Sequence, residues 1–189
     1  MRNSKEKEVG VEKQSTRKSL IYLLRDILIT LVIIVLILQF VRPTIVYERS
    51  MENTLMSEDY VFLAKQAYKF GEVQFQDIVV CESILLDDHG KPKNLIKRVI
   101  GVPGDVLEIK NDAVYRNGVR LDEPYLKEGV TLGEMAPITV PHDSYFLLGD
   151  NRQVSRDSRH SAIGFVKEDK IIGKVIFRLF PISSIGRVN

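Results

Sequence analysis

The apolar run from Leu20 to Val41 constrains this chain more than any other feature. Only Arg25, Asp26, Thr30 and Gln39 interrupt it. As a helix rising 1.5 Å per residue it reaches about 30 Å, the thickness of the hydrocarbon core of a bilayer. Arg25 and Asp26 fall in its first turns, where they pair locally or reach the headgroups at far lower cost than at the midplane. Ahead of it lies a polar tail with Arg2, Lys5, Lys7, Lys13, Arg17 and Lys18 set against Glu6, Glu8 and Glu12, expected to be mobile. A basic flank stays in the cytoplasm. The chain therefore reads as a cytoplasmic tail over 1–18, a transmembrane anchor over 19–41 and an extracytoplasmic domain over 42–189, a single-pass type II protein of the cell membrane. Cleavage of the anchor is disfavoured: the run exceeds an h-region of about 7 to 15 residues. Its exit, Val41-Arg42-Pro43-Thr44-Ile45-Val46-Tyr47, also offers no pair of small residues.

Lys and Arg number 27 against 25 Asp and Glu, with 44% hydrophobic residues, which argues against both a disordered chain and a nucleic-acid partner. The small basic excess sits in the tail, facing lipid or cytoplasm. The lone Cys81 lies in an apolar run and reads as a buried small hydrophobe. His89, His142 and His160 have no ligand spacing, and the carboxylates around residue 155 alternate with Arg152, Arg156 and Arg159, so neither a metal nor another cofactor is expected.

Beyond the anchor the pattern changes to short runs rich in branched and aromatic residues, the signature of strands. Strands are expected at Tyr60–Ala64, Asp77–Cys81, Leu95–Ile100, Val106–Lys110, Ala113–Arg116, Tyr145–Leu148 and Ile171–Phe180. Asn111-Asp112 and Asn117-Gly118 mark tight turns, and Leu85 to Asn94 reads as an exposed connection. The fold class is mainly β: one transmembrane helix followed by a compact antiparallel β domain.

Within that domain two residues suggest chemistry. A hydroxyl becomes a nucleophile when a base takes its proton, and lysine is that base only where a dry environment brings its pKa from about 10.4 toward neutrality. Ser50 stands just beyond the anchor, and Lys97 lies in the apolar run Leu95-Ile96-Lys97-Arg98-Val99-Ile100. Taken singly, the serine reads as a turn residue and the lysine as one that reaches out of a sheet edge.

Four blocks in order carry more information. Ser50-Met51-Glu52-Asn53-Thr54-Leu55, Asp77-Ile78-Val79-Val80, Lys97-Arg98-Val99-Ile100-Gly101-Val102-Pro103-Gly104-Asp105 and Gly149-Asp150-Asn151-Arg152-Gln153-Val154-Ser155-Arg156-Asp157-Ser158-Arg159 together resemble the type I signal peptidases, in the form of their small Gram-positive branch. The resemblance runs from the anchor to the C-terminus. It implies a membrane-bound serine endopeptidase that removes signal peptides from exported preproteins, with Ser50 as nucleophile and Lys97 as general base. Ser155 matches the residue whose hydroxyl orients the lysine amine, and Arg98 with Asp150, and Asp157 with Arg159, match supporting ion pairs. The implied partners are preproteins and the lipid bilayer, without nucleic acid, metal or other cofactor.

Ser50 lies about nine residues past Val41, so even an extended link of about 3.3 Å per residue keeps it within roughly 30 Å of the bilayer. Membrane-held substrates follow, adding an extended backbone to a sheet edge over pockets lined by Ile45, Tyr47 and Met51. The chain departs from the family at Glu48 and Arg49, where small residues usually precede the serine and help a donor reach the oxyanion. A carboxylate there opposes developing negative charge, so Glu48 is expected to point away, toward Arg49. Asn53 replaces a common proline and is expected to loosen its turn. Two other readings stay open at this level: a non-catalytic membrane-anchored assembly factor for surface proteins, which Glu48 and Arg49 favour, and a self-cleaving Ser/Lys regulator. The anchor, and the lack of a DNA-binding helical pair, speak against the second.

Overall fold

A computed structural model describes residues 2–69, 71–87 and 89–188, with side chains from Ser19 onward. The chain divides at residue 40 into two units. The first is the single helix α1, Arg2–Phe40. Helix continues through the segment expected as an irregular tail, consistent with the low cost of extending a helix once it is nucleated. Its stretch Ser19–Phe40 is long and apolar enough to cross a membrane, and every side chain along it is exposed. Val41, expected as the last anchor residue, instead opens a strand.

The second unit is built from strands in two antiparallel sheets. In chain order they are β1 (Val41–Ile45), β2 (Tyr60–Ala64), β3 (Ile78–Leu86), β4 (Pro92–Gly101), β5 (Val106–Lys110), β6 (Ala113–Arg116), β7 (Val119–Arg120), β8 (Met135–Thr139), β9 (Ser144–Leu148), β10 (Val166–Lys167), β11 (Ile171–Phe180) and β12 (Gly186–Arg187). The larger sheet runs β1-β2-β11-β3-β4-β9-β10, with β12 paired to β11, and the smaller runs β7-β6-β5-β8. The hairpin turns follow from residues that tolerate positive φ: Asn111 and Asp112 at 50° and 57° between β5 and β6, Asn117 and Gly118 at 53° and 80° between β6 and β7. These are the values that a two-residue turn matched to strand twist requires.

The segment Leu85–Asn94 is shorter as a connection than expected. Leu86 pairs with Pro92 across the ends of β3 and β4, leaving a polar tip in which the Asp87 carboxylate accepts the N–H groups of His89 and Lys91, each at 2.9 Å. Pro92 is tolerated because it opens its strand. Asp88, part of the same expected loop, lies outside the described residues.

Strand β4 is the hub of the core. Ile96 packs on the cluster of Val46, Met51, Leu55, Leu63 and Val80; Leu95 and Val99 belong to a second cluster with Val79, Cys81, Tyr145 and Leu147; Ile100 belongs to a third with Leu107, Val114, Phe146 and Leu148. Cys81 is 1% exposed, a packing residue. Burying a branched or aromatic side chain contributes about 1.5–3 kcal/mol, so a strand shared by three clusters is firmly held against local opening. Lys97 sits in its middle.

Close approach of β11 to the end of β2 requires Gly173. A Cβ there would come within 2.5 Å of the Ala64 carbonyl oxygen and 3.0 Å of Lys65 Cα, and backbone cannot yield as a side chain can. Gly173→Ala is expected to destabilise the domain by about 1–3 kcal/mol, read as a lower unfolding midpoint of the full chain in detergent. Gly104→Ala, whose cost is backbone strain at a surface turn, serves as the comparison.

Candidate active site

The nucleophile loop is fastened before any chemistry is considered. Met51 and Leu55 are buried to 1% and 0% exposure, and the N–H groups of Thr54 and Leu55 both return to the Met51 carbonyl at 3.0 and 2.8 Å. Across from it, the Asn151 N–H donates to the Ser50 carbonyl at 3.0 Å, and its side-chain amide donates to the Arg49 carbonyl at 3.1 Å and to Glu52 at 3.2 Å. Glu52 is pinned further by Arg49 and by Lys127 at 2.5 Å. Hydrogen bonds from Arg49 and then Lys127 hold its carboxyl down to about 2, so it remains an acceptor throughout the working pH range.

Lys97 reaches this loop from the interior. Its Nζ lies 2.7 Å from Ser50 Oγ and 3.0 Å from the Ile96 carbonyl oxygen. Lys97 is 1% exposed, Val79 is opposite it in register, and Leu95 and Val99 flank it on the strand. Burial pushes its pKa down from the ordinary lysine range, against the nearby carboxylates. A neutral amine has a lone pair and accepts a hydroxyl proton; an ammonium does not. The arrangement can deprotonate Ser50 directly.

The residue after the lysine fixes the strand. Arg98 donates in fork geometry to Asp150, at 2.9 Å from Nε and 2.8 Å from Nη2. Both side chains are inaccessible, at 2% and 0% exposure. Asp150 also accepts from Thr54 Oγ1 at 2.5 Å, and the Arg98 guanidinium lies 3.9 Å over the Tyr125 ring. One buried carboxylate thus joins β4, the nucleophile loop and the loop after β9. Asp157 is likewise forked by Arg159 at 2.8 and 2.9 Å and accepts the Gly149 N–H at 3.1 Å.

Three expectations are corrected. Ser155 makes no hydrogen bond to Lys97: its Oγ is buried without a partner and crowds, together with the Ser50 carbonyl oxygen, the face of Gly149 where a Cβ would sit. The partner of Glu48 is Lys93 at 2.6 Å and not Arg49, which is already taken by Glu52. Asn53 does not loosen its turn. It adopts φ 89°, which proline cannot reach, and its amide donates to the Tyr125 carbonyl at 3.2 Å. The sequence reading also missed Glu52, Thr54, Asn151 and Gly149 as supports. All four lie inside the quoted blocks, but their roles are backbone capture and close approach, which side-chain chemistry alone does not announce.

Beside Ser50 runs a groove of about 690 Å³. Leu63, Ile172, Val80 and Ile96, one from each of the neighbouring strands β2, β11, β3 and β4, are among its lining residues. Ile45, Tyr47 and Met51 line it too, with Glu48 and Lys93. Its outer side is β1, an edge strand that carries Pro43.

Residues 20–180 match the family described as signal peptidase, peptidase S26. The chain is 36% identical to signal peptidase I of Bacillus licheniformis over 94% of its own length and 99% of that protein. With signal peptidase IB of Staphylococcus aureus it shares 36% identity over 88% of this chain and 93% of the other. A crystal structure of a signal peptidase I from Enterococcus faecalis is 33% identical, covering 55% of this chain and 97% of that one with a TM-score of 0.46. A serine peptidase class is thereby defined, and the chain belongs to the peptidase S26 family of signal peptidases.

Replacing Arg98 by Met leaves the Asp150 charge buried and unpaired, and is expected to cost about 3–5 kcal/mol of stability. The double replacement Arg98→Met/Asp150→Leu should recover much of that loss in denaturant unfolding while remaining inactive, because the strand and the serine loop are no longer tied together.

Proposed function

We propose that this chain is a membrane-anchored endopeptidase that cleaves signal peptides from exported preproteins, with Ser50 and Lys97 as its catalytic residues. The observation that carries the reading is the 2.7 Å approach of a buried lysine amine to the serine hydroxyl, in surroundings that lower the pKa of the amine. A protein that only holds peptides has no evident need for a desolvated amine, whose burial costs stability whether or not the neutral form acts.

Neutral Lys97 takes the Ser50 proton as Oγ attacks the scissile carbonyl carbon. The ammonium then returns the proton to the leaving amine, and the peptide C–N bond breaks to leave an ester on Ser50. Water gives a proton to the regenerated amine as it attacks the ester, and the ammonium returns that proton to Ser50 Oγ as the ester C–O bond breaks, freeing the acid and restoring the neutral pair. The Ser50 backbone N–H is a donor for the oxyanion. Asp150, Arg98, Asp157 and Arg159 hold the two reacting atoms at contact distance, as a flexible four-carbon stem requires. Ser155 belongs with them as packing against Gly149.

An extended substrate fits the groove beside β1. Alternate side chains of a strand point to opposite faces, so two residues upstream of the cleaved bond would meet the wall of Ile45, Tyr47 and Met51 and the apolar floor. Narrow apolar pockets favour small residues there. The basic tail ahead of the apolar span supports a topology with the β domain outside the cytoplasmic membrane. Protease added to intact spheroplasts is expected to degrade the β domain and spare the tail; full protection of the domain would reverse the topology.

The neutral fraction of Lys97 grows with pH, and burial, by lowering its pKa, brings that growth below the ordinary lysine range. Cleavage of an Ala-x-Ala peptide by the full chain in detergent should therefore rise along an acid limb, with its midpoint below about 10.4. Ser50→Ala and Lys97→Ala are each expected to lower kcat by about 10³-fold or more, while replacement of His89, His142 and His160 together leaves turnover in place. Retained activity in either dyad variant would overturn the assignment.

A further inference from the structure

Each of the carboxylates that act on the Lys97 amine is provided with its own cation. Asp150 is forked by Arg98 and Asp157 by Arg159. Glu48, two residues before the nucleophile and on the wall of the same groove, meets Lys93 at 2.6 Å. The remaining neighbour, Cys81 on β3, is a neutral thiol that burial pushes up to about 11. The three ion pairs are unequal. The carboxylates of the first two are inaccessible and each is held by both prongs of an arginine fork, whereas Glu48 and Lys93 are 37% and 43% exposed and share a single contact.

That inequality matters because a free carboxylate near an amine favours the ammonium form, the form that cannot act as a base. We propose that Lys93 is a positioning residue for the cleavage reaction: by holding the Glu48 carboxylate at the groove wall, it keeps the Ser50–Lys97 pair in its neutral, reactive state. The inference rests on the Ser/Lys reading above. Burial is what lowers the Lys97 pKa, and Glu48 is the foremost of the charges that oppose it, ahead of the two carboxylates that arginines have neutralised. Lys93 and Lys97 also share β4. The strand therefore presents the base and the clamp on its strongest opponent from one rigid element, and the added positive charge itself disfavours a second ammonium nearby.

The test is the pH profile of kcat/KM for an Ala-x-Ala peptide, measured on the full chain in detergent for wild type, Lys93→Met and Glu48→Gln/Lys93→Met. Lys93→Met should move the acid-limb midpoint upward by about half to one pH unit, equivalent to a roughly 3- to 10-fold loss on that limb, a displacement along the pH axis that is read separately from any change in plateau height or KM. The double variant should return the midpoint to the wild-type position, because the charge that Lys93 restrained is gone. Higher salt should narrow the single variant's shift. Superposed profiles, a double variant as displaced as the single one, or a loss confined to the plateau or to KM would each overturn the proposal. A wild type lacking any acid limb would instead sink the Ser/Lys reading, and the side-chain ¹⁵N titration of Lys97 in wild type and Lys93→Met would then decide the Lys93 question without turnover.

Discussion

An amine surrounded by hydrocarbon has two options: it draws a counter-charge in with it, or it gives up its proton. Lys97 takes the second, and much of the β domain is arranged so that it must. Its strand is shared by three apolar clusters, so water has no easy route to Nζ, and the groups that touch the amine are a hydroxyl and a backbone carbonyl. Neither is a charge. A carboxylate in the place of Ser50 would have produced a buried salt bridge and an inert ammonium.

The same site nonetheless holds buried carboxylates, whose charge by itself opposes a neutral base. Geometry removes the conflict. Asp150 and Asp157 spend their lone pairs on arginine forks, the Thr54 hydroxyl and the Gly149 N–H, leaving little field for the lysine. Buried ion pairs of this kind contribute little net stability compared with hydrophobic replacements. What they supply is placement: each arginine has one carboxylate to reach, so the loop after β9, the nucleophile loop and β4 have one way to come together. Gly149 completes the fit by leaving room for the Ser50 carbonyl and the Ser155 hydroxyl on its bare face.

How much of this could be read from the residues depended on the kind of interaction. Strands with branched, alternating side chains, such as Tyr60–Ala64 and Val106–Lys110, declare themselves because their pattern is local. Strands β1 and β8 did not, since Pro43 and Pro137 break the pattern. Both are edge strands, the place where a missing N–H is harmless. The pairing of Ser50 with Lys97 was legible through the ordered blocks around them. The Glu48–Lys93 contact was not, because it joins residues 45 positions apart whose neighbours in sequence give no sign of it; the nearer candidate, Arg49, was already occupied by Glu52. The left-handed backbone of Asn53 was equally hidden: asparagine tolerates positive φ without demanding it.

Keeping Lys97 neutral also fixes the sign of its effect on stability. Between its lowered folded-state pKa and the ordinary value near 10.4, the unfolded chain binds a proton that the native chain does not. Stability therefore rises with pH across that window, and the full cost of burial falls on the native state below it. Ser50 itself opens onto the groove, next to Met51 and Leu55, which anchor its loop in the first apolar cluster. A substrate strand laid along β1 would cover the groove beside Ser50, thicken the apolar surroundings of the amine and lower its proton affinity further. Binding and activation of the base would then be one event: the peptide that fills the groove is also what dries the site that cuts it.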